Sequence, residues 1–98
     1  MLIVREVFTA KPGQASKLAK LFKRAMAGMG EIRVMTDLVG NYNTVVMEQP
    51  VRDLAEYERK LGEYKTKTIP MDPQVAEEFA HYTELYVTGH REIFQIVE

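Results

Sequence analysis

The spacing of apolar residues changes several times along this chain, and each change marks an element. Leu2, Ile3, Val4, Val7 and Phe8 make a run of strand formers from Leu2 to Thr9. Arg5 and Glu6 interrupt it side by side, so they point to opposite faces and neither face is purely apolar. Ala10-Lys11-Pro12-Gly13 then turns the chain. From Gln14 to about Met29 the period becomes helical: Ala15, Leu18, Ala19, Phe22, Ala25, Met26 and Met29 share one face. Lys17, Lys20, Lys23 and Arg24 lie opposite, and Gly28 and Gly30 end the helix.

Alternation returns from Glu31 to Val39, with Ile32, Val34, Thr36 and Leu38 opposed to Arg33, Met35 and Asp37. Gly40-Asn41 signals a turn, and Tyr42 to Gln49 reads as the partner strand of an antiparallel hairpin. Asp53 with Glu56 three residues on resembles a helix start. Leu54, Tyr57, Leu61 and Tyr64 form that helix's apolar face. Residues 65 to 71 read as a connector. Asp72-Pro73 starts a third helix, with an N-cap acid and proline at the first helical position. Its stripe is Val75, Ala76, Phe79, Tyr82, Thr83 and Tyr86, and Gly89 is expected to end it. His90 to Val97 is the last strand.

The order is β-α-β-β-α-(α)-β, an α+β ferredoxin-like pattern with a four-stranded antiparallel sheet. Right-handed crossovers put the helices on one sheet face. Whichever phase is chosen, the other face also carries apolar residues: Val46, or Val45 and Met47; Phe94 and Ile96, or Ile93 and Val97. A bare apolar face of that size is sticky on a monomer, and a second copy packed sheet to sheet is the simplest cover. A homodimer is therefore expected.

Composition narrows the chemistry. Ninety-eight residues make one domain, residues 1–98, and 46% hydrophobic content suffices for a core without metal or disulfide. Absence of cysteine excludes a disulfide framework, a thiolate zinc site, an iron–sulfur cluster and a cysteine nucleophile. A net charge of −1 speaks against a dedicated nucleic-acid partner. The apolar runs are too short to cross a membrane, and the N-terminus lacks a secretory pattern, so a cytoplasmic location is expected. Charge is uneven, +3 over residues 1–49 and −4 over residues 50–98. The plain reading is solvated helix faces.

The opening Leu2-Ile3-Val4-Arg5-Glu6-Val7-Phe8 leads into Lys11-Pro12-Gly13 and a helix. Gly40-Asn41-Tyr42-Asn43 precedes Val45-Val46-Met47-Glu48, and Gly89-His90-Arg91-Glu92-Ile93-Phe94-Gln95-Ile96-Val97 closes the chain. In these features the whole chain resembles the dimeric α/β-barrel superfamily. Within it, the likeness is to NIPSNAP-like and antibiotic-biosynthesis-monooxygenase-like small proteins. The resemblance implies a homodimer and a small hydrophobic molecule held between helices and sheet. It also implies activities such as cofactor-independent oxygenation or isomerisation, beside non-enzymatic binding or protein interaction. Haem-degrading members pair a pocket tryptophan with a histidine. This chain has no tryptophan, so no cofactor is expected.

Candidate site residues follow from this. His81, with Glu77 and Glu78 one turn before it, is a candidate base; its ordinary reading is a helix-surface histidine with acidic neighbours. A metal site would need more ligands than this, so none is expected. Tyr82 is placed beside His81 in the catalytic role. Tyr57, Tyr64, Tyr42 and Asn43 are candidate substrate contacts, since hydroxyl aromatics combine apolar area with an orienting hydrogen bond. Their ordinary reading is core packing. His90 reads as a cap or surface residue. The strand charges Arg5, Glu6, Arg33, Asp37, Glu48, Arg91 and Glu92 read as ion pairs, with Arg5 or Arg33 as an alternative anion contact.

Overall fold

In a computed structural model, residues 1–66 and 71–98 are described. Strands β1 (Leu2–Ala10), β2 (Arg33–Thr36), β3 (Thr44–Val51) and β4 (Tyr86–Gln95) form one sheet in the order β2-β3-β1-β4. Every neighbouring pair is antiparallel. Helices α1 (Ala15–Ala25), α2 (Leu54–Lys65) and α3 (Pro73–Phe79) complete the ferredoxin-like α+β arrangement. Four positions of the expected connector, 67–70, lie outside the described residues.

Sequence and structure agree on the main periods. α1 buries Leu18, Leu21, Phe22 and Ala25 and sets Lys23 and Arg24 in its last turn, where the helix dipole favours positive charge. It stops at Ala25, short of the expected Met29, because Gly28 is costly inside a helix and the chain turns there instead. Asp53 caps α2 by accepting from the Glu56 N–H at 2.9 Å. Asp72 caps α3 by accepting from the Gln74 N–H at 2.9 Å, with Pro73 in the first turn.

Three expectations need correction. The third helix does not run to Gly89. It ends at Phe79, and Tyr82–Glu84 form a 3-10 turn before β4 starts at Tyr86. β1 captures this segment: Lys11 N–H donates to Leu85 O at 2.9 Å, and Ala10 pairs with Tyr86. Sheet pairing of the strand formers from Tyr86 outcompetes another helical turn. Gly89 therefore sits inside β4. Second, β2 spans only Arg33–Thr36. Third, Tyr42 lies in the loop before β3; it and Asn43 have φ of 66° and 57°, which a strand excludes.

Alternation sorts the sheet faces. Val4, Phe8, Ala10, Val45, Met47 and Val51 face the helices. Two buried clusters result, one around Leu18, Phe22, Ala10 and Val45 and one around Val4, Val51 and Tyr57. On the outer face a row crosses all four strands: Arg33 pairs with Glu48, Glu48 with Arg5, and Arg5 with Glu92. The charges alternate and meet. Glu48 lies 2.6 Å from Arg33 and 3.0 Å from Arg5, and Arg5 is 3.9 Å from Glu92. His90, within β4, places Nε2 2.7 Å from Glu92 Oε1. Around this row stand Ile3, Val7, Met35, Val46 and Phe94.

Candidate functional site

A cleft opens between the helices and the inner sheet face. Its inner chamber holds about 110 Å³. Val4, Glu6 and Phe8 of β1, Met47 and Gln49 of β3, and Arg91 of β4 form the floor. Tyr57, Lys60, Leu61 and Tyr64 of α2 form one wall, and Phe22, Met26, Phe79 and Tyr82 the opposite one. Met26, Met29, Tyr64 and Phe79 also border an outer hollow of about 520 Å³, completed by Lys65, Met71, Ala76 and Ala80. The hollow is mostly apolar, with flexible methionines that adapt to irregular shapes.

The chamber has a polar end. The Arg91 guanidinium donates from Nε to Glu6 Oε1 at 2.9 Å, and its Nη2 lies 2.8 Å from the same oxygen in an ion pair. Its Cζ stands 5.7 Å from the Tyr57 ring centre, a cation–π contact. Tyr57 is 8% exposed. Burial raises its phenol pKa, the charge of Arg91 lowers it, and Glu6 raises it. Gln49 Oε1 and the Tyr57 hydroxyl are buried without a hydrogen-bond partner among the described residues.

The other side is aromatic. Tyr82 stacks on Phe79 at 4.8 Å between ring centres, and Phe22 meets Tyr82 edge-on at 5.8 Å. Tyr64 meets Phe79 edge-on at 6.2 Å. The Tyr82 phenol is pushed up to about 12, first by burial, then by Tyr64, Tyr86 and the Glu6 charge. It stays protonated at neutral pH and can only donate or accept a hydrogen bond there.

Tyr57, Tyr64 and Tyr82 thus come together around one chamber. The other candidates lie elsewhere. His81 follows α3 on the surface, its side chain 69% exposed, with Nδ1 3.4 Å from Glu84 Oε2. Glu78, expected beside it, pairs with Arg24 of α1. Tyr42 is 82% exposed at the loop before β3. Asn43 borders a separate shallow hollow with Lys20, Lys23, Val34 and Asp37. Arg5 and Arg33 belong to the outer face. Glu6, Gln49, Lys60 and Arg91 were not singled out for the cleft. A signal for Glu6 existed: Val4 and Phe8, two residues either side, put it on the helix-facing side of β1. Among the described residues, no group of three or more His, Cys, Asp or Glu could hold a metal ion.

Solved structures share this architecture over nearly the whole chain. An uncharacterised NIPSNAP domain protein from Burkholderia xenovorans is 15% identical, with a TM-score of 0.75 over 99% of this chain and 95% of that one. A NIPSNAP family protein from Agrobacterium tumefaciens is 11% identical, with a TM-score of 0.77 over 99% and 86%. The fold is that of the NIPSNAP proteins. A protein from Deinococcus radiodurans, provisionally described as an antibiotic biosynthesis monooxygenase, has it too: 17% identity and a TM-score of 0.65 over 100% and 94%. No protein-family profile and no curated protein sequence matches the chain. Among the described residues, no helix is long and apolar enough to cross a membrane. The NIPSNAP fold places the cleft; it does not say what enters it.

Proposed function

We propose that this chain binds a small, largely apolar molecule in the cleft between helices and sheet, and that it acts as a homodimer. The observation that carries the first part is the polar end of an otherwise apolar chamber that shares Met26, Met29, Tyr64 and Phe79 with a larger hollow. A few convergent polar groups within an apolar cleft are how small-molecule sites are built. The inner chamber alone takes a head group; the outer hollow has room for the body.

A chemical step on the bound molecule, oxygenation or isomerisation without a cofactor, is the second reading. Glu6, Tyr57 and Tyr82, three residues able to hydrogen-bond or move a proton, line one chamber and favour it. The provisional description of the Deinococcus radiodurans protein points the same way. His81 has no part in either reading, because its side chain is on the surface.

The dimer follows from the outer sheet face. Met35, Phe94 and Ile96 are 36%, 50% and 46% exposed there. The charge row between them is neutralised within the chain, so a covering partner need bring no counter-charge, and a like copy fits. Native mass spectrometry tests both parts in one spectrum. A dimer is expected, and after exposure to a small-molecule extract it retains an added mass. A Met29→Trp variant, which fills the mouth of the chamber, loses that mass. A monomer at micromolar concentration overturns the dimer, and failure to retain any mass overturns the cleft. Recovery of an altered molecule selects the enzymatic reading over simple binding.

A further inference from the structure

The loop between β2 and β3 puts apolar residues where folding does not ask for them. Asp37 closes its base: Oδ1 accepts from the Thr44 N–H at 2.9 Å, and the Asp37 N–H donates to Thr44 O at 3.3 Å. The chain then doubles back, so that a Cβ at Gly40 would lie 3.1 Å from Asp37 Cβ. Leu38 and Val39 therefore occupy the two central positions of a tight turn, where they are 99% and 94% exposed. Such positions ordinarily take Gly, Asn, Asp, Pro or Ser. Almost nothing of either side chain is buried within the chain, so the pair is free for a contact outside it.

Cations stand beside the turn. Lys20 and Lys23 of α1 line one shallow hollow with Thr36 and Asp37, the two residues that lead into it. Arg24, on the polar face of the same helix, is held by Glu78, whereas among the described residues Lys20 and Lys23 pair with no acid. The half of the sequence that contains α1 and the turn also carries the positive excess, +3 over residues 1–49.

We propose that this corner of the molecule docks on an anionic lipid surface. Leu38 and Val39 enter the boundary between headgroups and acyl chains, and Lys20 and Lys23 meet the headgroups. Apolar residues beside lysines suit attachment to such a surface, and no spanning segment is needed. The lysine stems can lie along apolar surroundings while their ammonium groups stay at headgroup level. A protein partner fits less well: a projecting tip needs a matching groove, and lysine is depleted at protein interfaces. Two apolar side chains and two exposed cations make a reversible contact that salt weakens.

The chain has no tryptophan, so Leu38→Trp reports on its own surroundings. With vesicles of phosphatidylcholine and phosphatidylserine its fluorescence is expected to shift to the blue, and the natural chain to co-sediment with them. Vesicles of phosphatidylcholine alone should bind more weakly, and added salt should release the protein from the mixed ones. Each lysine near an anionic surface is worth about fivefold, so Lys20→Gln together with Lys23→Gln should weaken binding roughly 25-fold. Leu38→Asn together with Val39→Asn suits the turn, so the melting temperature should hold while binding falls about tenfold or more. No binding to the mixed vesicles, an unmoved Leu38→Trp spectrum, or equal binding by the natural chain and the asparagine variant overturns the proposal. A changed oligomeric state of the asparagine variant without vesicles also overturns it, assigning the tip to a contact between copies.

Discussion

Gly89 and Phe8 face each other across β4 and β1, and a Cβ at Gly89 would stand 2.8 Å from Phe8 Cδ1. The Phe8 ring cannot easily yield. It is held by Phe22 at 5.0 Å and by Tyr86 at 4.9 Å between ring centres. Gly89→Ala is therefore expected to destabilise by about 1–3 kcal/mol through overpacking. At this size that lowers the melting temperature by roughly 4–8 °C per kcal/mol. Calorimetry checks it, and Phe8→Leu in the same chain should recover part of the loss. An unchanged melting temperature for Gly89→Ala would mean the ring does not need that space.

That pair also marks where reading the chain falls short. Gly89 after an apolar helical stripe looks like a helix stop, because a glycine does not announce which neighbour needs its space. The stripe itself was real: Phe79, Tyr82 and Tyr86 all pack around Phe22 or Phe8, though a helix, a turn and a strand supply them in turn. Element order and both hairpin faces were legible because periods of 2 and 3.6 residues are local properties. Three tyrosines of the chamber were legible because aromatic residues on apolar faces must point inward. The Glu6–Arg91 pair was not, since it depends on the register between strands 85 residues apart. The acidic neighbourhood of His81 was legible because it is local, whereas its distance from the chamber was not, being set by where α3 ends.

Acid should act on the start of α2. Glu56 Oε2 accepts from Arg52 Nε at 2.8 Å and from Arg52 N–H at 3.0 Å. The Arg52 side-chain bond first, then the backbone bond, bring its carboxyl from 4.5 down to about 2. A lowered folded-state pKa adds stability that is full above the unfolded value and disappears as pH falls through the folded one. The melting temperature of the natural chain should exceed that of Glu56→Gln at pH 6–7. The gap should close between about pH 4.5 and 2. A gap independent of pH would assign the effect to packing instead of charge.

Tyr42 carries backbone strain with little return. Its φ is 66°, a region that costs non-glycine residues roughly 1–2 kcal/mol, and its ring is 82% exposed. Asparagine adopts this conformation more readily. Tyr42→Asn is expected to raise stability by about 0.5–1 kcal/mol, measured by urea unfolding, and to leave the small-molecule mass retained in native mass spectra unchanged. Loss of binding in that variant would bring Tyr42 back to the site, for instance through a partner copy that places its loop over the cleft.

The sharpest consequence of the proposed dimer concerns Phe94. It stands on the outer face opposite Ile3, 50% exposed, with the Arg5 guanidinium carbon 6.0 Å from its ring centre. Within one chain it buries little, so changing it should cost folding stability less than a core substitution does. Between two chains it would be an apolar anchor beside the row of alternating charges. Phe94→Glu removes that anchor and adds a third acid to the outer face beside Glu92 and Glu48, so a facing copy meets unpaired negative charge. Such a substitution costs several kcal/mol at an interface, and each 1.4 kcal/mol is tenfold in dissociation constant. Sedimentation velocity should therefore show the natural chain as a dimer and Phe94→Glu as a folded monomer at the same micromolar concentration. The chamber lies on the opposite sheet face, so the monomer should still retain the small-molecule mass. A variant that remains dimeric would place the contact on another surface. A monomer that no longer retains the small-molecule mass would mean that the second copy helps to shape the cleft.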